Sequence, residues 1–238
     1  FTLSEQTVIR PLVRNYDMTN TPGLTAQVPI YPALSASDLT EGTDITTPTS
    51  FDTSSVTMTA VERGVMVSLT DLSAESANED VAAAIGRQIG DAMAKKMDTE
   101  LAALFSGFSN QVGSGAAEIT VEDLFKAAAT LRNNQAPGPY VCVLHPYQAF
   151  QIKKQLTNAG NTNMVNPSDL GNEALRAGFI GNIAGMNVFE STVITGDSAG
   201  AFVCAAMSQD ALGFMMKRDM RIEEQRDASL RATEIVGS

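Results

Sequence analysis

The sequence predicts an α+β protein whose amino-terminal part projects from a mixed body, and three observations carry that reading. The first 75 residues are broken by Pro11, Pro22, Pro29, Pro32 and Pro48 and keep no sustained helical period. An apolar residue then recurs every four positions from Val81 to Phe105. The remainder alternates short helical and strand patterns and closes on strands.

Taken in order, Gln27–Leu34 reads as extended, and Pro29 and Pro32 suit an edge strand or an arm. Residues 35–59 hold 13 Ser or Thr around the turn-like Glu41-Gly42-Thr43-Asp44, a long polar hairpin or loop. Val56, Met58 and Ala60 alternate with Thr57 and Thr59. Beyond Glu62-Arg63-Gly64, Val65, Val67 and Leu69 alternate with Met66, Ser68 and Thr70. A period of two over that length predicts one long half-buried strand, bulged at Gly64.

Ser76-Ala77-Asn78-Glu79 fits a capping box, and Asp80 suits the positive start of a helix. Val81, Ile85, Ile89, Met93, Met97, Leu101 and Phe105 form its stripe. Four residues overshoot a turn by about 40°, so the stripe winds, and a helix over 76–106 spans roughly 45 Å. It reads as a strut with different neighbours along its length. Gly86 and Gly90 inside it each cost about 1 kcal/mol relative to Ala, or mark close packing.

Thr120-Val121-Glu122-Asp123 caps a second helix carrying Val121, Leu124, Phe125, Ala128 and Leu131. The stretch Asn133–Pro139 ends it, Tyr140–Leu144 is a buried strand, and His145-Pro146 opens a further helix. Residues 158–171 read as an Asn- and Gly-rich loop, followed by a short helix over Ser168–Ala177 that stops at Gly178. Strands are expected near Met186–Glu190, Ala201–Met207, Leu212–Met216, Met220–Gln225 and Leu230–Val236.

Composition excludes several functions. The 238 residues are 44% hydrophobic and 18% charged, ordinary globular material. Lys plus Arg number 16 against 27 Asp plus Glu, a net charge of −11, which counts against a grip on nucleic-acid phosphates. Residues 1–94 carry 4 basic and 12 acidic residues, and no lysine precedes Lys95. One His and two distant Cys are too few for a His/Cys zinc site or a disulfide scaffold. No Asn-x-Ser/Thr acceptor occurs with a permitted middle residue, and no signal peptide is visible at Phe1. No apolar stretch approaches the ~20 residues of a membrane helix. The expectation is a soluble acidic protein of a reducing compartment.

Catalytic equipment is scarce. No Gly-Lys, Gly-x-Gly-x-x-Gly, Cys-x-x-Cys or His-Glu-x-x-His pattern occurs. Cys142 and His145 stand three apart, poor geometry for a nucleophile and base on a strand, and Cys204 reads as core. Glu79-Asp80 and Glu122-Asp123 suit helix starts. Glu223-Glu224, among Lys217, Arg218, Arg221 and Arg226, suits ion pairs, and the basic cluster over 217–231 is diluted by acids.

Several stretches resemble the major capsid proteins of tailed bacteriophages, the HK97-like fold. Leu39–Ile45, Phe51, Val56-Thr57-Met58 and Arg63–Leu72 resemble that family's extended loop and following strand. Phe179–Val188 with Ser191, and Gly200–Phe202 with Ala211–Phe214 and Met220–Glu223, resemble its apical and closing segments.

The resemblance implies an amino-terminal arm at 1–25, an extended loop at 26–60, and a peripheral domain with the spine helix at 61–118. An axial domain at 119–216 and closing strands of the peripheral domain at 217–238 complete it. It implies a structural protein without catalytic, cofactor or metal residues. Self-assembly into pentamers and hexamers of an icosahedral shell around phage double-stranded DNA follows, in a virion built in the host bacterial cytoplasm. Cementing, scaffolding and portal proteins are the further partners, and no membrane is involved. Asp38, Glu41, Gly42, Asp44 and Phe51 become the assembly-loop candidates. A projecting arm and loop should leave their apolar residues for neighbours to cover. Some members crosslink through an extended-loop lysine, which this chain lacks. The competing expectations are an encapsulin-type shell, a hydrolase using His145, and a soluble binding domain that oligomerises through an edge strand.

Overall fold

The computed structural model describes residues 7–19, 21–32, 34, 36, 38, 41–42, 44, 51–76, 81–113, 118–157, 181–196 and 201–238. A 3-10 turn (Arg10–Leu12) precedes β1 (Arg14–Asp17), β2 (Thr25–Ile30), β3 (Ser54–Thr59) and β4 (Val65–Thr70). Helices α1 (Asp71–Ser76) and α2 (Val81–Ala103) follow, the latter running into a 3-10 turn at Leu104–Gly107. Then come α3 (Val121–Asn133), β5 (Tyr140–Leu144), α4 (Pro146–Thr157), β6 (Asn182–Ile183) and β7 (Met186–Glu190). β8 (Ala205–Ser208), β9 (Gly213–Met216), β10 (Ile222–Asp227) and β11 (Ala232–Gly237) complete the described elements. The expected loop over 158–171 and helix over Ser168–Ala177 lie outside the described residues, as do Glu79 and Asp80 of the expected cap.

The chain forms two units. The larger comprises Phe1–Asn15, Arg63–Phe214 and Met220–Ser238. Its centre is a four-stranded sheet in the order β6-β7-β5-β8, with β5 parallel to β7 and antiparallel to β8. Both faces of β5 are buried, which explains its unbroken apolar run. Val141 and Val143 enter one core with Ile9, Val13, Leu101, Phe105, Met207 and Leu212. Cys142 and Leu144 enter a second core with Leu124, Ala128, Ala149, Ile152 and Val188, between the sheet and helices α3 and α4. Thr120 caps α3 as expected: its hydroxyl accepts from the Asp123 amide at 3.2 Å, and its own amide donates to Asp123 Oδ2 at 3.0 Å. Phe125 departs from the expected face, being exposed while Leu124 and Ala128 are buried.

A second sheet, β10-β11-β4, packs on α2. β11 pairs antiparallel with both neighbours, placing Ile235 opposite Val67 and Val236 opposite Met66. Val65, Val67 and Leu69 are half-buried, and Met66, Ser68 and Thr70 are exposed, the alternation the sequence predicts. All seven stripe residues are buried or half-buried. The stripe also changes partners as it winds: Ile89 lies against Gly237 of β11, whereas Leu101 and Phe105 join the core under β5.

Three expectations are corrected here. The strand expected from Val56 through Thr70 is two strands in different sheets: β3 pairs with β2, and β4 pairs with β11. Gly64 marks the break, because its backbone lies so close to Gly237 that a Cβ would stand 3.1 Å from the Gly237 carbonyl oxygen. Ser76 does not open the long helix but ends α1, its hydroxyl donating to the Ser73 carbonyl at 3.2 Å. The strand expected at Ala201–Met207 begins at Ala205, with Phe202 forming only an isolated bridge to Gly196.

The smaller unit comprises Tyr16–Glu62 and Met215–Asp219. Its main element is the antiparallel β2–β3 ladder, running from Thr25 opposite Thr59 to Ile30 opposite Ser54. Pro29 sits in β2, where the lost amide is tolerated because the sheet has only two strands. Lys217 donates to the carbonyls of Met18 and Thr21, tying the carboxy-terminal stretch of this unit to its amino-terminal one. Strands β1 and β9 pair with each other.

Candidate assembly surface

The β2–β3 ladder leads into a segment exposed throughout its described residues. Asp38, Glu41, Gly42, Asp44 and Phe51 are all exposed. Gly42 has φ +78, a left-handed conformation that suits glycine, within the Glu41-Gly42 turn. Phe51 is brought against Tyr31, a residue that the sequence alone does not single out. The rings stack with centroids 5.8 Å apart and planes 13° from parallel. The ladder explains the pairing, since Tyr31 follows the end of β2 and Phe51 precedes the start of β3. Tyr31 remains 63% exposed and Phe51 52%. Ile30, Leu34 and Val56 are exposed beside them in the sequence. From Tyr16 to Glu62 there is no Lys or Arg, so all formal charge on this segment is negative.

The amino-terminal segment behaves differently from the expectation of an uncovered arm. Ile9 and Val13 are buried in the core of their own chain, at 0% and 1% exposure. Asp98 of α2 is the reason the backbone can follow them inside. Its Oδ2 accepts from the amides of Val8 at 2.6 Å and Ile9 at 3.1 Å, and its Oδ1 from the amide of Arg10 at 3.1 Å. The guanidinium of Arg10 lies 5.1 Å above the Phe214 ring. Sequence reasoning passes over Asp98. The signal is its place three before Leu101 and seven before Phe105, on the helix face that turns inward.

The residues considered for catalysis are placed as structural groups. Cys142 is buried, and desolvation pushes its thiol up to about 12. Burial likewise pushes Cys204 to about 11, its sulfur accepting from the His145 amide at 3.2 Å and donating to Gln148 Oε1. The His145 ring stacks on Phe202 with centroids 3.7 Å apart, and its Nδ1 accepts from the Tyr147 amide. Burial holds His145 below its usual pKa. Among the described carboxylate pairs, Glu122 is met by Lys126 at 2.9 Å and Glu223 by Arg221 at 3.7 Å, whereas Arg226 forks onto Asp71. Asp123 is held below the usual carboxylate range by Thr120. Among the described residues there is no cluster of three or more His, Cys, Asp or Glu able to hold a metal ion, and no helix long and apolar enough to cross a membrane.

A family model described as phage capsid protein matches residues 53–237. No sequence among the curated proteins matches. Solved structures do. One from Mycobacterium phage Che8 aligns over 100% of this chain and 88% of its own, with a TM-score of 0.77 and 20% identity. The capsid of cyanophage P-SCSP1u covers 100% of this chain and 84% of its own, with a TM-score of 0.73 and 19% identity. The capsid of a native GTA particle covers 100% and 85%, with a TM-score of 0.68 and 12% identity. At these identities the likeness is one of fold, the α+β HK97-like fold. The family match, spanning β3 to the last strand, joins that architecture to a structural role, and the chain belongs to the phage capsid protein family as a bacteriophage major capsid protein.

Proposed function

We propose that this protein builds a closed icosahedral shell from pentamers and hexamers of itself and encloses phage double-stranded DNA. The observation that carries the reading is the stacked, exposed Tyr31–Phe51 pair on a two-stranded ladder. A two-stranded sheet is at best marginally stable alone in water, and its apolar residues need cover. A neighbouring copy supplies that cover, with Asp38, Glu41, Gly42, Asp44 and Phe51 as the contacting positions. In this reading residues 1–25 are the arm, 26–60 the extended loop, 61–118 the peripheral domain, 119–216 the axial domain and 217–238 its closing strands. Portal, scaffolding and cementing proteins complete a particle assembled in the host bacterial cytoplasm.

The absence of lysine from Tyr16 to Glu62 supports a shell without a crosslink from this loop. Overlap of hairpins then holds it, and purified particles should dissolve to monomers on a denaturing gel. High-mass ladders would refute that. A net charge of −11 suits a container whose DNA must slide during filling. The central test is negative-stain microscopy of the expressed protein. Closed shells support the reading, and a monodisperse monomer or dimer at high concentration counts against it. Nuclease-protected DNA in native particles separates a genome container from a cargo shell.

A further inference from the structure

We propose that Asp98 positions the amino-terminal segment, gripping three consecutive amides so that Val8, Ile9 and Arg10 are held against the body at one fixed point. The carboxylate is 2% exposed, so its hydrogen bonds must come from protein. The amides of α2 are engaged within the helix, and the donors come instead from Val8, Ile9 and Arg10, which lie 88 to 90 residues away. These residues lead into the 3-10 turn Arg10–Leu12, and the first amides of such a turn have no partner within it. Ile9, the residue at the cap position, makes no side-chain cap of its own. Asp98 therefore serves as an N-cap supplied from another element, using charge-assisted bonds about twice as strong as neutral ones.

The amides fix the backbone in place, and the side chains beside them fix its register. Moving the segment by one residue would carry Ile9 and Val13 out of the core they share with Leu101 and Phe105. Asp98 is thus a positioning residue: itself buried, it fixes the place of Val8–Arg10 and with it the subunit surface offered for assembly. That consequence for assembly rests on the shell reading, whereas the grip does not.

Hydrogen exchange read by mass spectrometry tests it on the full chain, unassembled and as particles. In the unmodified protein the amides of Val8, Ile9 and Arg10 should exchange as slowly as those in the middle of α2. Fast exchange there overturns the proposal without any variant. Asp98→Asn keeps the shape but turns an NH2 toward the donors. It should speed exchange at these three amides at least about tenfold while Val141 and Val143 of β5 stay protected. Equal acceleration at both places would mean a general loosening and would also overturn the proposal. Particles of Asp98→Asn should be fewer and less uniform, and particles identical to the parent's would refute the positioning role. If the unmodified chain forms no particles, the shell reading fails while the exchange data still decide the grip.

Discussion

The Cγ2 atom of Ile89 lies so close to Gly237 that a Cβ on the glycine would overlap it. Helix α2 and strand β11 therefore meet at a position only a hydrogen can fill. Gly237→Ala should lower stability by about 1–3 kcal/mol through overpacking. Ile89→Ala makes room for the added methyl, so the double variant should lose less than the sum of the two single losses. Denaturant midpoints of the four proteins measure this, and additive losses would contradict the contact.

The two thiols should be inert in the folded chain. With Cys142 near 12 and Cys204 near 11, almost no thiolate exists at pH 8. Alkylation at that pH should modify both cysteines after unfolding and neither beforehand on the same timescale. The raised values also set a direction for stability. The folded state keeps protons that the unfolded thiols lose above their ordinary 9.0, so this contribution is intact below pH 9 and declines as pH rises toward 12.

Tyr31 and Phe51 separate assembly from folding. Both are more than half exposed in the single chain, so replacing them with alanine should change subunit stability by no more than about 0.5 kcal/mol. Shell yield, measured by sedimentation, should fall severely. A stable double variant that assembles like the parent would remove the hairpin from the interface.

The α3 cap has a defined pH window. Thr120→Ala should cost about 1 kcal/mol at pH 7. Hydrogen bonds from Thr120 hold the Asp123 carboxyl below its ordinary 3.8, so the folded pKa is depressed. The stabilisation is complete above 3.8 and disappears as pH falls through the depressed value. The gap in denaturation midpoint between parent and Thr120→Ala should accordingly narrow at low pH.

What the sequence disclosed follows from how local each signal is. The β5 run, the Thr120 cap, the alternation of β4 and the winding stripe of α2 are each written within a few turns or pleats, and the structure carries all four. The continuous strand through Gly64 failed because the same alternation resumes beyond the break, one residue out of phase, which reads equally as a bulge. Only the approach of Gly237, more than 170 residues later in the chain, shows that β3 and β4 belong to different sheets. Ser76 matched a cap pattern yet bonds backward to Ser73, since nothing local distinguishes the end of one helix from the start of the next. The candidate surface was half legible. Phe51 is singled out by the family resemblance, but its partner Tyr31 required the β2–β3 register. Asp98 required knowing which segment would bring amides to it.

The two-sided burial of β5 has a consequence for how the body finds its alignment. In a strand with one wet face, a slip by one residue exposes apolar groups and is rejected by polarity alone. Here a slip would send Val141 and Val143 toward α3 and α4, and Cys142 and Leu144 toward Asp98's end of α2, exchanging one apolar set for another. Water does not distinguish the two alignments. The choice falls to shape and to the polar ends of the strand. There the Tyr140 hydroxyl donates to the Ala136 carbonyl at 2.7 Å, and the Ser191 amide to the Leu144 carbonyl at 2.9 Å. The middle of the strand supplies cohesion, and its two ends supply the address.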